Sequence, residues 1–138
     1  MLNQRQNIIL TATLLLVFFV LYVLSRTILS DAYLFEWTSR NWYFGIWIMA
    51  LILIFTKTQI MAVALTLGNL FGVIFGQVLG DIMRSANIQK VTSEMTEAQK
   101  ASLYAHHGVE LWLGTVFVFL LVGIILQMLF RKKCQNKT

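Results

Sequence analysis

The 138-residue chain contains no proline, one cysteine (Cys134) and few charges, 12% of its residues against about 25% in an average soluble domain. A single cysteine excludes an internal disulfide framework. Without proline there is no proline kink of the sort that breaks helices in many carriers. Scarce charge combined with 58% hydrophobic residues excludes a disordered chain and an ordinary soluble enzyme. The chain also lacks a phosphate-binding glycine loop, a G-x-S-x-G nucleophile motif and any pair of acids inside an apolar run. The net charge of +5 does not imply a nucleic-acid partner, because the basic residues stand at the ends of apolar runs instead of covering a polar surface.

The apolar runs themselves carry the fold. A membrane-crossing helix needs about 20 largely apolar residues. The first run extends from Ile8 to about Leu24; it is longer than a signal-peptide core and no small-x-small cleavage site follows it, so it reads as a retained helix. Between Trp42 and Gly80 only Lys57 is charged. As one helix this stretch would be about 58 Å long, nearly twice the hydrocarbon thickness, so it must reverse at Thr56-Lys57-Thr58-Gln59. This gives two helices, about 42–55 and 60–80. The last run, 111–130, ends at Arg131-Lys132-Lys133. The expectation is an all-α integral membrane protein, one domain over 1–138, with four transmembrane helices in an antiparallel bundle.

Charge orients that bundle. An even number of spans puts both termini and the Lys57 turn on one side, with Arg5, Arg131, Lys132, Lys133 and Lys137 and no acid. Every acid in the chain (Asp31, Glu36, Asp81, Glu94, Glu97 and Glu110) falls on the other side. The preference of short cytoplasmic segments for Lys and Arg places both termini in the cytoplasm, in a plasma membrane or bacterial inner membrane. Trp37, Trp42, Trp47 and Trp112 gather towards the outer ends of their helices, where amphipathic rings anchor at headgroup level, and Arg131, Lys132 and Lys133 anchor the opposite face. Cys134, beside that basic run, reads as a reduced thiol.

Two outer loops connect the spans. In Ser25–Asn41, apolar residues interleave with Asp31, Glu36 and Arg40, which suits a segment lying in the interface. In Asp81–His107, Thr96-Glu97-Ala98-Gln99 matches a capping box, so a short helix should begin at about 97.

Helix 60–80 has the most regular pattern. Gly68, Gly72, Gly76 and Gly80 recur every fourth residue and drift by about 40° per step around the helix, with Thr66 and Asn69 beside them. Lipid tails are as apolar as leucine, so such a stripe favours close helix packing, with Asn69 or Thr66 bonding across. It can serve another helix of the chain, a second subunit, or a polar path through Asn69, Gln77 and Asp81. Near the last span, His106 and His107 stand at i,i+4 and i,i+3 from Glu110, spacings that share a helix face. Two imidazoles and a carboxylate can ligate a transition metal or respond to external protons, with Asp81 and Arg84 placed to complete the group.

The functional expectation is a non-enzymatic polytopic membrane subunit that packs through the glycine stripe, either as a homo-oligomer or within a larger transport or envelope complex. One alternative is a small homo-oligomeric channel or transporter with its path along Asn69, Gln77 and Asp81. Another is a metal-binding sensor or enzyme using His106, His107 and Glu110. No cofactor is implied beyond that metal. The implied partners are the lipid bilayer and a second copy or another membrane protein, with no nucleic acid.

Overall fold

All regular structure in the computed structural model, which describes residues 4–41 and 43–135, is helical. Among the described residues the helices are α1 (Gln4–Arg26), α2 (Tyr33–Asn41), α3 (Tyr43–Phe55), α4 (Gln59–Ile88), α5 (Glu97–Tyr104) and α6 (Gly108–Gln135). Three of them, α1, α4 and α6, are long and apolar enough to cross a membrane. The number rises to four if α2 and α3, which meet at 63°, form one bent span. With 13 residues, α3 reaches only about 20 Å, short of a hydrocarbon core of about 30 Å.

The first connection differs from the expected interfacial segment. Leu34, Phe35, Thr38 and Ser39 of α2 are all buried. Leu34 and Phe35 join one core with Phe18 and Leu21 of α1, Tyr43 of α3 and Trp112 of α6. Leu34 and Phe35 therefore face protein, Ile28 stays exposed, and Glu36 and Arg40 pair with each other on the open side of α2 at 2.6 Å.

α4 also runs further than its apolar stretch. Eight residues beyond Gly80, α4 ends at Ile88. Asp81 marks a change in polarity, but nothing between Asp81 and Ile88 is a glycine or proline that would stop a helix. At 30 residues it is about 45 Å long, so one end projects beyond a bilayer core. The capping box forms at α5: the Thr96 hydroxyl accepts from Gln99 N, and Gln99 Oε1 accepts from Thr96 N at 2.9 Å.

The reversal between α3 and α4 is built without glycine or proline. Lys57 takes a left-handed conformation, φ 61°, which costs a residue with a side chain about 1–2 kcal/mol. The fold recovers this in hydrogen bonds. Thr58 N donates to Leu53 O at 2.9 Å and Lys57 N to Ile54 O at 3.1 Å, the paired bonds of a Schellman motif. The Thr56 and Thr58 hydroxyls donate to Ile52 O and Leu53 O. At the same end Gln127 of α6 accepts from Ile60 N of α4 at 3.2 Å, and Gln59 donates to Asn7 of α1. Deeper in the helices, the buried hydroxyls of Ser25, Thr38 and Thr66 donate to carbonyls one turn earlier, which satisfies them in a region without water.

Among the described residues the seam between α4 and α6 is the most extensive helix–helix contact. Ascending α4 meets descending α6: Gly68 faces Val116 and Phe119, Gly72 faces Trp112 and Thr115, and Gly76 faces Gly108 and Trp112. Below them, Gly123 of α6 faces Ala64 and Met61. The two helices are therefore antiparallel. No glycine has a positive φ, so these glycines supply space and not backbone freedom. A Cβ built on Gly76 would lie 2.6 Å from the Gly108 carbonyl oxygen and 2.6 Å from Leu34 Cδ2. A Cβ on Gly108 would lie 2.8 Å from Gly76 O, so neither backbone has room for a methyl group.

Gly76→Ala is accordingly expected to destabilise the protein by about 1–3 kcal/mol, the usual range for overpacking. Gly114→Ala, on the same seam-forming helix but with nothing within 4 Å of its Cβ position, should be neutral. Thermal unfolding of the two variants in detergent micelles checks this; equal midpoints would contradict the seam.

Candidate functional site at the histidine end

Helix starts leave backbone N–H groups without partners, and inside a membrane water cannot satisfy them. α2 begins without a capping side chain: Glu36 N donates to Ala32 O at 3.0 Å, so the N-cap residue is Ala32, whose methyl accepts nothing. The acceptor comes from α4. Gln77 Oε1 takes the Leu34 N–H at 2.7 Å, and Gln77 Nε2 donates to Asp81 Oδ2 at 2.7 Å. The other carboxylate oxygen, Asp81 Oδ1, lies 3.3 Å from His106 Nε2. His106 Nδ1 accepts the N–H of Gly108, the first residue of α6, at 3.1 Å. A continuous chain of side-chain bonds thus runs from the start of α2, along α4, to the start of α6.

The geometry assigns the histidine tautomer. Because Nδ1 accepts from Gly108, the ring proton is on Nε2, which donates to Asp81. The His106 side chain is 3% exposed while that of Asp81 is 57% exposed. The ring packs against Tyr33 at a centroid distance of 4.5 Å, tilted by 41°, and a Cβ on either Gly80 or Gly108 would overlap it. Gly80 is therefore a floor for an imidazole as well as the last step of the glycine stripe.

These contacts redistribute the expected site residues. Gln77 and Asp81 do lie together, but their polar atoms bond to α2, to each other and to His106 and do not line a path. Asn69, 3% exposed, accepts the Trp112 indole N–H at 3.0 Å. Thr66 bonds within its own helix and makes no bond across the seam. The stripe Gly68, Gly72, Gly76 and Gly80 is covered by α6, Leu34 and His106 of the same chain, which leaves it no free face for a second subunit.

The triad of His106, His107 and Glu110 does not converge. α6 starts at Gly108, so both histidines precede the helix and the i,i+4 geometry is lost for His106. His107 Nδ1 lies 3.2 Å from Glu110 Oε2, with the Glu110 side chain open and that of His107 partly so, while His106 turns inward to Asp81. Among the described residues no group of three His, Cys, Asp or Glu side chains is placed to hold a metal ion. Trp112 is 2% exposed and packs edge-on against Trp37 at 6.0 Å, so it is a core residue and not a headgroup anchor. Trp47 lies against the core between α1 and α3. Arg131, Lys132 and Lys133 are exposed on the last turns of α6. Trp42 and Lys137 lie outside the described residues, as does the Cys134 side chain.

Tyr33, Gly108 and the Leu34 N–H were not marked by the sequence patterns. The available signal was Ala32, a residue unable to cap, ahead of a segment that proves helical. Gln77→Leu is expected to leave the buried Leu34 N–H unpaired, at a cost of about 1–3 kcal/mol. The partly exposed His107→Ala should stay within about 0.5 kcal/mol of the parent. Chemical or thermal unfolding in micelles checks both, and a Gln77→Leu protein as stable as the parent would contradict the cap.

No protein-family model, curated protein or solved structure matches the chain.

Proposed function

We propose that this chain is a non-enzymatic, membrane-spanning subunit. In this reading the Gln77–Asp81–His106 relay is a clasp that holds α2, α4 and α6 together, and contact with lipid or a partner uses the outward aliphatic faces of α1, α3 and α6. The observation that carries the reading is that both ends of the relay terminate on backbone N–H groups at helix starts, Leu34 and Gly108. A general base needs a free ring nitrogen within reach of substrate. His106 has none, since Nε2 faces Asp81 and Nδ1 faces Gly108.

The same occupancy weighs against a conduit along α4. Asn69 is committed to Trp112 and Gln77 to Leu34 and Asp81, so the polar groups that would line a path bond to protein. Because the stripe is consumed within the chain, association with a second copy or with a transport or envelope complex would use an outward face such as that of α6, where Phe117, Leu121 and Ile125 are exposed. The density of Arg and Lys near both termini and at Lys57 favours a plasma membrane or bacterial inner membrane with those segments cytoplasmic.

Liposome reconstitution separates the readings. Protein in vesicles loaded with proton- or potassium-sensitive dye is expected to add no flux above protein-free vesicles. A flux that disappears in folded Asn69→Leu or Gln77→Leu protein would overturn the subunit reading in favour of the conduit.

A further inference from the structure

Away from the clasp, a groove of about 390 Å³ runs between α1 and α3. Phe18 and Tyr43 form its floor, 2% and 6% exposed, and Phe19 and Phe44 form its rims, 65% and 57% exposed. Tyr22 closes the end nearest the α1–α2 connection, where its ring packs on Tyr43 at 5.1 Å. Trp47 lines it one turn further along α3.

The lining of this groove is almost wholly apolar, and the Tyr43 hydroxyl and the Trp47 indole N–H are buried beneath it. One feature separates it from a plain lipid-facing surface. Arg26 stands one helical turn beyond Tyr22, with its guanidinium 5.7 Å from the Tyr22 ring centroid. Among the described residues it has no acidic partner, whereas Arg40 and Lys100 are both paired. The order along α1 is thus an apolar trough and then a cation without an acidic partner.

An anionic glycerophospholipid has the same order of chemistry: acyl chain, then phosphate. We propose that the α1–α3 groove holds one such lipid from the surrounding bilayer. Its chain lies between Phe19 and Phe44 and its phosphate is bound by Arg26, which suits a guanidinium's planar donors. The inference rests on the membrane-spanning reading. That reading fails separately if the full chain leaves cell membranes without detergent.

Native mass spectrometry of the full chain in detergent tests the site, with phosphatidylglycerol and phosphatidylcholine of identical acyl chains supplied in equal amounts. The parent protein is expected to retain phosphatidylglycerol about tenfold over phosphatidylcholine, a difference of about 1.4 kcal/mol. Arg26→Gln, an exposed change, should make retention of the two lipids equal. Arg84→Gln, an exposed cation remote from the groove, should leave the preference intact. Phe19→Ala/Phe44→Ala should lower retention of both lipids by removing the rims. No preference in the parent, a preference that survives Arg26→Gln or one equally lost in Arg84→Gln would overturn the proposal. Retention unchanged in the double rim variant would also overturn it.

Discussion

Helices inside a bilayer gain little by hiding apolar side chains from one another, since the lipid they displace is equally apolar. What brings α4 and α6 together is the density of contact they reach, and that depends on the missing Cβ atoms of Gly68, Gly72, Gly76 and Gly80 on one side and of Gly108 and Gly123 on the other. The seam extends from Met61 to Gly76 along α4, about 22 Å, or some three-quarters of the hydrocarbon core. The glycine surfaces of α4 admit Phe119, Trp112, Leu34 and, one turn beyond the seam, the His106 ring. The positions of α2 and of the α6 start are thus set by what the α4 stripe can receive.

A second requirement shapes the ends of the same helices. Backbone groups at a helix terminus need partners, and here several come from neighbouring helices. Gln77 of α4 caps α2, Gln127 of α6 caps α4, and His106 caps the start of α6. Each cap also links two segments, so satisfying the backbone and fixing the tertiary arrangement become one event. Asn69 with Trp112 adds a bond across the middle of the seam. Polar side chains that would suggest a path or a reactive centre are, in this arrangement, the means by which helix ends are closed.

Much of this was legible in the residue pattern and some was not. The apolar runs announced the long helices, and the four-residue spacing announced a packing face on α4, because both are local periodicities. The partner of that face was not readable: spacing records that a backbone approaches, not whose backbone it is. The end of α4 was misplaced because Asp81 changes polarity without breaking the helix. α2 was read as interfacial because Leu34 and Phe35 look alike whether they face lipid or protein. The histidines were read as one cluster because i,i+3 and i,i+4 spacings presume a helix. Starting α6 at Gly108 lets adjacent residues diverge, His106 inward to Asp81 and His107 outward to Glu110. Gln77 and Gln127 act as caps across more than 40 residues of sequence, a relation that no local pattern contains.

The central claim is that the glycine-lined surface of α4 is occupied by α6 of the same chain. Cysteines at the facing positions Ala64 and Gly123, introduced with Cys134→Ser, test it directly. A Cβ at Gly123 would lie 2.7 Å from that of Ala64, so a small parting of the helices brings the pair to the roughly 3.5–4.5 Å of a disulfide. Mild oxidation in native membranes is predicted to give a monomer with a reductant-sensitive internal crosslink. A disulfide-linked dimer, or thiols that stay free, would contradict it.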